Sequence, residues 1–112
     1  MEQYKKESID RYLLEFRNKD LKKLEECFGF MIHCVDDGVN NIEPLPISGP
    51  DKKAVVLSII CGIYAEVIAK NLPLYLKPFN ILIEFILIQV IISKLIDFIV
   101  DKYNKGLWRK ES

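Results

Sequence analysis

The 112-residue chain has no excess of charge, with 16 basic and 16 acidic side chains, so no global field recruits nucleic acid or an acidic substrate. It has a single histidine, His33, and five scattered glycines. No glycine-rich phosphate loop, HExxH pair or nucleophile elbow is present. Its three cysteines, Cys27, Cys34 and Cys61, make an odd set without repeated spacing, which argues against a secreted disulfide scaffold and fits a reducing compartment. The first apolar run is broken by charges every two or three residues, so it is no signal peptide. None of the asparagines lies in an Asn-x-Ser/Thr acceptor.

The titratable residues that remain do not assemble a reaction centre. Cys27 and Cys34 stand two helical turns apart, too far to share an ion unaided, and His33 beside Cys34 points about 100° away from it. Glu25 with Glu26 and Asp36 with Asp37 are sequence neighbours rather than facing carboxylates, hence poor acid–base dyads. The expectation is a non-enzymatic protein with no metal, no cofactor, no small-molecule substrate and no nucleic-acid partner.

What the chain does have is an uneven distribution of charge. Residues 1–53 hold 9 Lys or Arg and 11 Asp or Glu, whereas residues 54–100 hold only 3 of each sign. Ile9, Tyr12, Leu13 and Phe16 recur at helical spacing, followed by a second stripe of Leu21, Leu24, Phe28, Met31, Ile32 and Val35. This predicts an amphipathic helical arm over residues 1–37, with Asp20 as a cap for its second half and Asp36, Asp37 and Gly38 as its end. Residues 38–50 contain Pro44, Pro46 and Pro50 and read as a connector.

Residues 51–106 read as a tight antiparallel hairpin of two highly apolar helices, giving an all-α fold class in a single folding unit. The first, capped by Asp51, runs to about Asn71 and gathers Ala54, Ser58, Cys61, Gly62, Ala65 and Ala69 on one face, where small side chains permit close helix packing. Pro73 and Pro78 make the reversal. The second runs to Lys105 with Gly106 as its left-handed cap, leaving a basic tail over 107–112.

The stretch "FNILIEFILIQVIISKLIDFIV", residues 79–100, holds sixteen Ile, Leu, Val and Phe and yet carries Glu84, Lys94 and Asp97. On an insertion scale the apolar residues contribute roughly 7 kcal/mol in favour of a bilayer and the three charges cost up to about 9 at its centre. Two consecutive helices of spanning length, Lys and Arg at both outer ends, and Tyr75, Phe79, Tyr103 and Trp108 at interfacial positions tilt the balance towards a membrane hairpin with both termini cytoplasmic. The sequence therefore predicts a small membrane protein that works by helix packing, either as a homo-oligomer or on a membrane-protein partner in the lipid bilayer. The alternative is a cytoplasmic, soluble, oligomeric all-α adaptor or inhibitor. Glu66, Glu84, Lys94 and Asp97 are the candidate functional charges, Lys94 and Asp97 being placed to pair at i, i+3.

Overall fold

The computed structural model of the protein describes residues 1–102, and over that range it is all-helical. Helix α1 (Glu2–Lys19) is followed by α2 (Leu24–Ile42) and α3 (Gly49–Val67). Two short 3-10 turns, Ala69–Asn71 and Leu74–Phe79, then lead into a fourth helical run over residues 80–102. That run consists of α4 (Asn80–Phe85), a π-helical stretch Ile86–Ile92 and α5 (Ser93–Lys102). The expected cap at Gly106 and the tail 107–112 lie outside the described residues.

Local chemistry sets the helix ends, and at three places it does so differently from the expectation. Asp20 does not open the second helix; it closes the first, in the left-handed region at φ 51°, a conformation that Asp tolerates better than most side chains. The second helix opens instead where the Glu26 carboxylate accepts the Lys23 backbone N–H at 3.3 Å, one half of a capping box. Ser48, not Asp51, caps α3: its hydroxyl accepts the Asp51 backbone N–H at 3.2 Å, with Pro50 in the first turn.

Gly38 was expected to end α2, yet the helix continues to Ile42. Val39 and Ile42 extend the buried stripe past it, and their burial outweighs the roughly 1 kcal/mol that a helical glycine costs. A Cβ at Gly38 would stand in ordinary contact, 3.6 Å from Val56 and 3.8 Å from the Tyr12 hydroxyl, so the approach of α3 does not itself require glycine there. The connector is correspondingly short.

Helices α1 and α2 form an antiparallel pair. Tyr12 reaches Asp37, Glu15 reaches His33 and Phe16 packs on Phe30 with ring centroids 5.3 Å apart. Helix α3 lies across both and carries Val56, Ile60, Ile63, Tyr64 and Val67 into a core shared with Met31, Val35, Val39 and Ile42 of α2. The fourth run packs antiparallel to α3: Tyr64 donates to Asn80 Oδ1 at 2.8 Å, Cys61 to Glu84 at 3.4 Å, and Lys53 pairs with Asp97 at 2.9 Å. The last two helices thus sit inside a four-helix structure that also uses the N-terminal arm.

Among the described residues one helix, Gly49–Asn71, is long and apolar enough to cross a membrane. The fourth run is not an uninterrupted α-helix. At its π stretch the Ser93 N–H reaches back to the Ile88 carbonyl, five residues away, the signature of a π-turn inserted in an α-helix.

Candidate docking surface

The side of the fourth run that faces α2 and α3 buries Leu87, Ile88, Ile92, Ile96, Ile99 and Val100. Its other side is almost as apolar and faces outwards. Ile81 is 84% exposed and Phe85 59%, and Leu82, Ile86, Val90, Ile91 and Phe98 are exposed with them. Leu74, Tyr75 and Phe79 in the preceding turn continue this surface. Single exposed apolar side chains are ordinary in folded proteins; here seven of them lie along one helical run. The surface exists because Ile, Leu, Val and Phe occupy nearly the whole circumference of the first half of the run, whereas α2 and α3 cover only one side.

A cleft runs along each flank of this ridge. Between the ridge and α2 lies one of ≈ 500 Å³ bounded by Phe28, Met31, Ile32, Leu87, Ile91 and Leu95 together with Ile92, and no polar side chain contributes to it. Between the ridge and α3 lies a smaller one, ≈ 240 Å³, where Cys61 and Glu84 meet Ile81, Phe85 and Gln89. The Cys61 thiol is held above its ordinary value by partial burial and by donation to the Glu84 carboxylate.

The small-residue face of α3 is split in use. Ala54, Cys61, Gly62 and Ala65 are exposed, and Ser58 and Ala69 are half-buried. Gly62 seats Ile9 of α1 so closely that a Cβ would come within 2.5 Å of its Cδ1. Cys61 looks the other way, towards the fourth run. Close packing at this face therefore occurs through Gly62, against α1 rather than against the neighbouring apolar helix.

The candidate charges do not converge. Glu66 accepts from Lys70 at 2.8 Å one turn along the same helix, which lowers its pKa. Glu84 takes the thiol rather than approaching Glu66. Asp97 bonds Lys53 of α3 rather than Lys94, because Lys53 extends across the helix pair to meet it. Lys94 is exposed on the ridge itself.

A polar cluster that periodicity could not reveal joins α1 to α2. The Tyr12 hydroxyl donates to Asp37 Oδ2 at 2.6 Å, Asn41 Nδ2 donates to the same oxygen at 2.9 Å, and Arg11 lies 3.7 Å from it. Tyr12 is buried, and burial followed by its bond to Asp37 raises the phenol well above its ordinary value of 10.0. Burial likewise raises the Cys34 thiol. His33 meets Glu15 at 3.1 Å on the surface. Among the described residues no three His, Cys, Asp or Glu gather as a metal site.

Compared with protein-family models, with curated proteins and with solved structures, the chain finds no match.

Proposed function

We propose that this is a non-enzymatic docking protein: a helical scaffold that holds the fourth helical run so that its outward apolar ridge packs against another protein. The observation that carries this reading is the ridge itself, Ile81, Leu82, Phe85, Ile86, Val90 and Ile91 exposed along one helical run whose other side buries Leu87, Ile88, Ile92 and Ile96. A surface of that kind stays in water only at a cost, and a second apolar helix laid into the adjoining cleft removes the cost.

The soluble, cytoplasmic form of this reading is supported by the surroundings of α3. That helix is the one long and apolar enough to cross a bilayer, but α1 and α2 pack along it, and α1 carries Lys5, Lys6, Asp10, Arg11 and Glu15. Taking α3 into hydrocarbon with those contacts kept would carry charged helices with it, at several kcal/mol per buried charge. A membrane-embedded hairpin is the second reading, favoured by the apolar length of α3 and by the lipid-like character of the ridge; it requires α1 and α2 to leave α3.

Fractionation of the expressed full chain separates the two. The docking reading expects the protein in the soluble fraction without detergent, as a discrete species on sizing. Retention in membranes washed with high salt and alkaline carbonate would overturn it in favour of the embedded hairpin.

A further inference from the structure

We infer that the turn between α3 and the fourth run, residues 69–82, seats in the headgroup layer of an anionic lipid bilayer and holds the folded protein reversibly at a membrane surface. This goes beyond the docking reading above and needs its soluble form. The turn carries the most exposed large apolar side chains of the described residues: Ile81 is 84% exposed, Leu74 82% and Tyr75 75%, with Phe79 beside them at 55%. They belong to the second 3-10 turn and the first residues of α4.

The polar groups of the turn are engaged within the protein, as a seat in lipid requires. Asn71 Nδ2 donates to the Val67 carbonyl at 3.0 Å, and Asn80 Oδ1 accepts from the Tyr64 hydroxyl at 2.8 Å. The backbone N–H groups of Asn71, Leu72, Leu76 and Asn80 each donate to the carbonyl three residues back. Pro73 and Pro78 have no N–H to satisfy. Unpartnered backbone is what keeps irregular chain out of an apolar layer, and here much of it is partnered inside the turn.

Charge selects the kind of surface. Over residues 67–83 the charged side chains are Lys70 and Lys77, with no Asp or Glu. Lys77 is exposed next to Pro78 and Phe79 and has no ion-pair partner among the described residues. The carboxylates on either side of this segment, Glu66 and Glu84, are already engaged, Glu66 by Lys70 at 2.8 Å and Glu84 by the Cys61 thiol at 3.4 Å. Lysine bears its ammonium on a long apolar stem, so Lys77 can meet lipid phosphates while Tyr75 and Phe79 enter at the interfacial depth that aromatic rings favour. A protein partner would account for the apolar side chains equally well; the charge of one sign among them is what favours anionic lipid.

The test is co-sedimentation of the full chain with vesicles of phosphatidylcholine alone and of phosphatidylcholine containing phosphatidylserine. The expected result is binding to the second kind only, weakened by added salt because the attraction is screened. Lys77→Gln should lower the binding about fivefold, the factor that corresponds to the ~1 kcal/mol contributed by one cation at an anionic surface. The double variant Leu74→Ser with Tyr75→Ser should abolish it, while the control Leu14→Ser on α1 should bind as the parent does; all three side chains are exposed, so circular dichroism should show the same helicity throughout. A soluble parent chain that ignores both kinds of vesicle, one that binds both equally, or a double variant that binds like the parent overturns the membrane seat and leaves the docking reading standing, with a protein as the partner of the turn as well. A chain recovered only in detergent overturns both.

Discussion

Replacing Tyr12 with phenylalanine tests the one buried polar junction between the arm helices. The substitution keeps the ring and its packing and removes only the hydroxyl that donates to Asp37 at 2.6 Å. A hydrogen bond to a charged acceptor contributes about 1.5–3 kcal/mol. Asp37 keeps Asn41 at 2.9 Å, and its side chain is 38% exposed, so water replaces the lost donor in part. The expected loss is therefore about 1.5 kcal/mol at neutral pH, at the low end of that range.

The more demanding part of the prediction is the pH dependence. Burial and the bond to Asp37 hold the folded phenol protonated well above its ordinary value of 10.0. Below that value Tyr12 is protonated in both states and its contribution is complete. Above it the unfolded chain releases the proton first, so the contribution falls by about 1.4 kcal/mol per pH unit until the folded group also ionises. Phenylalanine has no such proton. Urea unfolding followed by far-ultraviolet circular dichroism, run on parent and variant in parallel, should show a constant gap up to about pH 10 that closes near pH 11. A gap that stays constant through pH 11 would refute the argument that folding holds this proton.

Gly62→Ile should force Ile9 and α1 off α3, costing about 1–3 kcal/mol of overpacking and lowering the melting temperature by several degrees, without changing the sedimentation of the folded protein; altered association at an unchanged melting temperature would instead place the interface on α3. Alkylation read by mass spectrometry should modify exposed Cys61 before buried Cys27 and Cys34. Glu84→Gln should speed that reaction at mildly alkaline pH, because removing the carboxylate lowers the thiol's pKa and raises its thiolate fraction; equal labelling of all three cysteines would contradict the core described above.

The helices themselves were legible, because the apolar stripes of α1 and α2 and the density of apolar residues in α3 and the fourth run fix helix faces directly. The ends were less so. Ser48 was passed over because Asp51 is an equally good capping type, and only the path of the chain decides between them. Gly38 reads locally as a stop, and what overrules it is the burial of Val39 and Ile42 in a core shared with α3. The ridge was hidden for a different reason: a helix that is apolar nearly all round does not say which side its neighbours cover. Pairing of the charges was equally beyond reach, since Asp97 has Lys94 within a turn and yet meets Lys53 from another helix.

The π stretch at Ile86–Ile92 amounts to an inserted residue that the helix has absorbed by widening its turns. An α-helix advances about 100° per residue, so one residue gained or lost in α3 would swing everything beyond it out of phase with the core. In the fourth run the surplus is already stored. Dropping a single residue there, at Gln89 for instance, lets the backbone relax to ordinary α geometry while Ile96, Ile99 and Val100 keep their inward bearing. The segment amounts to a length reserve: among the described helical stretches it alone is wound as a π-helix, so it is where losing one residue should leave the two ends pointing the same way.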